Sequence, residues 1–147
     1  MKKYKYSILG LMVLVLVWMF VTGRQPEAKE VNLSVDELIR LTNEYRVSQG
    51  LNALEKDLEL CEVAEIRVRE IVDTWSHERP DGTKFYNILL GMKYEMVAAG
   101  ENIGRYQNSE EEVLDMWKQS ETHNENMLGD YTHIGVAIYK EIYIDKK

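Results

Sequence analysis

An unbroken apolar run from Ile8 to Val21 follows Lys2, Lys3 and Lys5, and no acidic residue precedes Glu27. A short basic segment leading into an apolar stretch is the pattern of a secretory signal, which directs the chain and takes no part in its fold. The run is 14 residues long and would reach roughly 21 Å as a helix, short of the roughly 30 Å hydrocarbon core of a bilayer. Residues 1–23 therefore read as a signal peptide cut after Gly23 or as an N-terminal membrane anchor. In both cases the lysines stay on the cytoplasmic side and the remainder is delivered outside. The expected location is extracellular, or membrane-anchored with the domain outside the cytoplasm, with membrane contact confined to residues 4–22 if the segment is kept.

The rest of the 147-residue chain carries 15 basic and 25 acidic side chains. Such an acidic body argues against nucleic acid as the main partner. Its length and the 45% hydrophobic content suit one globular domain and exclude collagen-like or wholly disordered chains. Cys61 is the single cysteine, so no disulfide forms within the chain and stability rests on packing. Its place on an apolar helical face makes it a core residue rather than a reactive thiol.

Residues 24–33 are polar, contain Pro26 and read as a linker; the folded domain spans 34–147. Ser34 with Glu37 is a capping box opening an amphipathic helix through Leu38, Ile39, Leu41, Thr42 and Tyr45, which Gly50 closes in a left-handed conformation. A second helix sets Leu58, Cys61, Ala64, Val68 and Trp75 inward, with Glu59, Glu62, Arg67 and Glu70 on the outer face. Pro80 and Asp81-Gly82 force a turn, and Phe85 to Met92 fits a short helix. Ser109 with Glu112 repeats the capping box and starts a helix ending near Thr122. Thr132 to Tyr139 alternates as a strand does, and Ile142 to Ile144 fits a second, short one.

Chemistry concentrates on few residues. His77 and His123 fall at helix ends, and Glu101 lies between Gly100 and Gly104, where the backbone can bend sharply. A carboxylate against an imidazole fixes its orientation and tautomer, as a general base or a metal ligand requires. The same pair could equally be a hydrogen-bonded strut between two loops. His133 is out of phase with the apolar strand positions and reads as structural. No G-x-S-x-G elbow occurs, and a serine near a histidine in sequence does not make a nucleophile.

Five segments, Leu41-Thr42-Asn43-Glu44-Tyr45-Arg46, Trp75-Ser76-His77 leading to Arg79-Pro80-Asp81-Gly82, Ala99-Gly100-Glu101-Asn102-Ile103, Trp117 with Ser120 and His123 through Leu128, and His133-Ile134-Gly135-Val136, resemble in this order the CAP superfamily. That family takes its name from cysteine-rich secretory proteins, antigen 5 and pathogenesis-related proteins, and the likeness is to its bacterial, disulfide-free secreted branch. The resemblance implies an α+β fold, a three-layer α-β-α sandwich with a central antiparallel sheet. It also implies a cleft lined by His77, Glu101 and His123. The family's fourth residue, a glutamate, is Ser120 in this chain, and Glu121 stands roughly 100° further around a helix.

Two functions follow as expectations. One is a non-enzymatic binding module whose ligand-binding residues are His77, Glu101, Ser120 and His123 and whose ligand is a lipid, a peptide or an envelope component. The other is a metal-assisted peptide hydrolase, with His77 and His123 on zinc or another divalent ion and Glu101 orienting a histidine or activating water. Zinc asks for three or four ligands, so two imidazoles predict weak binding that fades as pH falls through the histidine range.

Overall fold

Residues 32–139 are described by a computed structural model. The N-terminal apolar run, nearly all of the linker and the strand expected at Ile142–Ile144 lie outside the described residues. The elements are helices α1 (Val35–Ser48), α2 (Leu58–Asp73), α3 (Asn87–Met92), α4 (Glu110–Gln119) and α5 (Glu121–Met127), with two-residue strands β1 (Glu55–Lys56) and β2 (His133–Ile134).

Both capping signals work as expected at their serines. Ser34 and Ser109 are extended and accept from the amides of Glu37 and Glu112 at 3.3 and 3.2 Å. At α4 Glu112 reaches back, but to the Asn108 amide at 2.8 Å. At α1 the Ser34 amide donates instead to Glu110, which ties the two helix starts together, while Glu37 turns to Arg40. Helix α1 ends as read, with Gly50 at φ +78° after the last turn.

Helix α1 packs on α4, and their buried apolar residues are Leu38, Ile39, Val113 and Leu114. Val63 of α2 and Ile88 and Leu89 of α3 form a second cluster under Tyr94, Met96 and Ala99. Each such side chain contributes on the order of 1.5–3 kcal/mol by leaving water. Buried Arg46 of α1 joins the elements by donating to the carbonyls of Asn52, Met127, Gly129 and Tyr131. These bonds satisfy carbonyls at the end of α5, where a cation also meets the negative helix pole.

Three expectations change. Helix α2 turns a different face inward: Leu58 is exposed, whereas Val63 and Arg67 are its buried residues. A charge can go under because every donor group of Arg67 finds an oxygen. Helix α4 stops at Gln119; Ser120 is extended at φ −100° and ψ 121°, and the chain restarts as α5. His123 therefore stands inside a helix, not past one.

The third change concerns the sheet. Only His133–Ile134 of the expected strand pairs, and it pairs parallel to Glu55–Lys56, with Glu55 opposite His133 and Lys56 opposite Ile134. The architecture is α+β and mostly helical. Among the described residues the antiparallel pairing is one bridge, Glu78 to Lys84, around the Pro80–Gly82 turn, and no central antiparallel sheet is present. Past β2 the chain leaves its partner and lays Gly135 on the Leu60–Cys61 backbone of α2, where any Cβ would overlap the Leu60 carbonyl.

Candidate functional site

Arg67 organises the site from inside α2. Its Nε and Nη2 donate to the two Glu101 oxygens at 2.7 and 3.1 Å, a bidentate grip, and Nη2 also reaches the Ser76 carbonyl at 2.8 Å. Its Nη1 donates to Glu70 at 2.6 Å, and Arg79 grips the other side of Glu70, with Nη2 2.7 Å from Oε1. Two arginines and two carboxylates thus form a chain that anchors the 76–83 turn and the 101–104 loop to one helix. The Arg67 side chain is 5% exposed and that of Glu101 12%.

On that anchor sits the first histidine. His77 Nδ1 is 2.9 Å from Glu101 Oε1. A carboxylate only accepts, so Nδ1 carries the proton that faces Glu101. The ring is half exposed, with a side-chain exposure of 52%.

The second histidine arrives by backbone bonds. Asn102 donates its side-chain amide to the His123 carbonyl at 2.9 Å, and Asn126 donates to the Glu101 carbonyl and to Asn102 Oδ1 at 3.2 and 3.0 Å. From the other side Tyr45 donates to Asn124 at 2.9 Å, and Trp117 Nε1 donates to the Ile103 carbonyl at 3.2 Å. The ring centroids of His77 and His123 end 6.5 Å apart, inclined by 50°. His77, Glu101 and His123 therefore meet in one place. His123 Nδ1 is buried without a hydrogen-bond partner among the described residues.

Burial, and then the charge of His77, push the His123 imidazole below the ordinary histidine value. It stays neutral to lower pH and keeps a lone pair to offer. Arg67 is raised first by its bond to Glu101, against the effect of burial. For Glu70 burial alone would raise the carboxyl, but the bonds from Arg79 and Arg67 outweigh it and hold the group below the carboxylate range.

Ser120 lies at the α4–α5 break with its hydroxyl 3.4 Å from that of Thr122, and Glu121 beside it is exposed. Among the described residues neither side chain has a hydrogen bond or ion pair to the histidines or Glu101. His133 pairs with Thr132 at 2.8 Å on β2, away from this cluster's bonds. A metal is poorly served: both Glu101 oxygens are engaged by Arg67 and one also by His77, and no three His, Cys, Asp or Glu side chains converge among the described residues. Two imidazoles fall short of a zinc site.

Arg67 and Glu70 are what sequence reasoning missed, because helical periodicity assigns charged residues outward. The available signal was that Arg67 interrupts the very face that Val63 and Leu60 define.

A helical α+β body in which a histidine–glutamate pair stands next to a second histidine defines the class. The chain belongs to the CAP family, the cysteine-rich secretory protein family, whose pattern matches residues 39–142. It is 33% identical over 104 residues to YkwD of Bacillus subtilis (strain 168), an uncharacterized protein, covering 69% of this chain and 40% of that one. To YlbC of the same organism, an uncharacterized membrane protein, it is 30% identical over 113 residues, covering 75% and 33%. Among solved structures it is similar to an extracellular protein containing an SCP domain from Bacillus anthracis str. Ames, with a TM-score of 0.67, 28% identity, and 73% and 37% coverage. The chain spans two fifths or less of the length of these relatives.

Proposed function

We propose that this is an exported, non-enzymatic binding module whose cleft around His77, Glu101 and His123 takes a ligand of the cell envelope or extracellular space. One observation carries the reading: Glu101 is locked by Arg67 and His77, while His123 keeps a buried, unbonded Nδ1. A buried polar atom without a partner costs about 1–3 kcal/mol, which a ligand hydrogen bond would recover. A carboxylate held by a guanidinium is a poor general base, so the same wiring supports binding over turnover. Export rests on the N-terminal run and on the similarity to an extracellular SCP-domain protein. The family's layered α+β arrangement belongs to this proposal too, supported by the TM-score of 0.67.

The second reading, a metal-assisted peptide hydrolase, is favoured by the paired imidazoles and weakened by the ligand count. The two are separated by incubating the protein with a peptide library, with and without zinc. No cleavage, together with saturable shifts of the His77 and His123 ring resonances on adding envelope extract, is expected. Cleavage abolished by both chelator and His77→Ala would overturn the binding reading in favour of the hydrolase. Calorimetry with zinc is expected to give weak heat at neutral pH that falls in His123→Ala.

A further inference from the structure

We propose that Arg105, held between Trp75 and Tyr106 beside the histidine cleft, is a recognition site for the carboxylate or phosphate of an anionic sugar. The Arg105 guanidinium carbon lies 4.5 Å from the Trp75 ring centroid and 5.2 Å from that of Tyr106. Every other arginine among the described residues has an oxygen partner: Arg40, Arg46, Arg67, Arg69 and Arg79 each meet a carboxylate or carbonyl. Among the described residues Arg105 has only the two rings, in a chain with 25 acidic residues. A guanidinium held over aromatic faces keeps its in-plane N–H donors for a planar or tetrahedral anion.

The surroundings point the same way. Tyr106 is held at φ +70°, uncommon for a bulky residue, yet its side chain is almost fully exposed, so the strained backbone serves no burial. Trp75 is also exposed. Flat aromatic surface beside a lone cation suits a saccharide ring that packs its C–H groups on the rings and offers one anionic group. The acidic body disfavours a polyanion. The platform is continuous with the cleft, because the segments 75–77 and 101–105 meet twice, as Trp75 with Arg105 and as His77 with Glu101. The inference therefore rests on the cleft being a binding site and names part of its ligand.

The test is a titration of the full-length protein, followed at the Trp75 indole N–H by NMR, with three probes sharing one ring: N-acetylmuramic acid, N-acetylglucosamine 1-phosphate and N-acetylglucosamine. At least one anionic probe is expected to shift Trp75 saturably and to bind at least ten-fold tighter than the neutral sugar; the tighter anion identifies carboxylate or phosphate as the source. Arg105→Gln should lose that ten-fold while the remaining spectrum stays in place. Equal binding of the neutral sugar, undiminished binding by Arg105→Gln, or an unmoved Trp75 overturns the proposal. If Trp75 is unmoved while the histidine rings still respond to envelope extract, this site falls and the cleft reading stands. The opposite pattern removes the cleft reading and, with it, the assignment of this anion site to the cleft's ligand.

Discussion

Glu101 accepts from Arg67 through both oxygens and meets His77 through one of them, so the candidate site depends on a residue that touches no ligand position itself. Replacing Arg67 by Met leaves Glu101 and Glu70 short of a counter-charge in a mostly buried place. A loss of about 3–5 kcal/mol is expected in urea unfolding, the cost of breaking a buried pair from one side. Glu101→Gln should cost less, because the amide keeps the shape and a hydrogen-bond acceptor. Glu70 gives the pH dependence. Its folded carboxyl titrates below its unfolded value, so the unfolded chain binds the extra proton first as pH drops. Its contribution is complete above the ordinary carboxylate value of 4.5 and is lost as pH falls through the depressed folded value. Unfolding midpoints measured from pH 6 down to pH 3 should fall less steeply in Arg79→Gln than in the wild type; parallel curves would remove this assignment. At this scale the sequence displays His77, Glu101 and His123 as candidates, but not Arg67, because spacing reports polarity and not which polar groups find partners.

At the scale of elements, the helix starts are legible and the interruptions are not. Ser34 and Ser109 announce α1 and α4 by local chemistry that needs no tertiary context. The break at Ser120 has no proline or glycine to mark it, and so a helix running to Thr122 is the natural reading. The alternation of Ile134, Val136 and Ile138 identifies extended chain but not a partner, and pairing stops after Ile134 because Gly135 approaches the α2 backbone. That contact is directly testable. Gly135→Ala puts a methyl group into the Leu60 carbonyl and should cost about 1–3 kcal/mol in thermal unfolding, as overpacking does. Gly91→Ala, where nothing lies within 4 Å, is the control and should be neutral or better. Equal stability of the two variants would mean that the chain past β2 does not lie on α2.

For the whole molecule, the family resemblance was readable because its motifs are the joints of the fold. Asn43 exchanges two bonds with Leu54, at 2.9 and 2.7 Å, Tyr45 and Arg46 hold α5, and Asn102 with Asn126 stitches the Glu101 loop to the helix carrying His123. Each of these five residues is polar and bonds to a partner at least 11 positions away, which explains why spacing alone could not reveal its role. The convergence of three side chains from distant segments is the claim on which the binding reading stands. It is tested most directly by NMR of the histidine rings at pH 8. The account predicts a cross-relaxation contact between the His77 and His123 rings and a proton on His77 Nδ1, both lost in Arg67→Met at a temperature where that variant is still folded. Absence of the ring contact in the folded wild type, or a His77 proton on Nε2 instead, would contradict it.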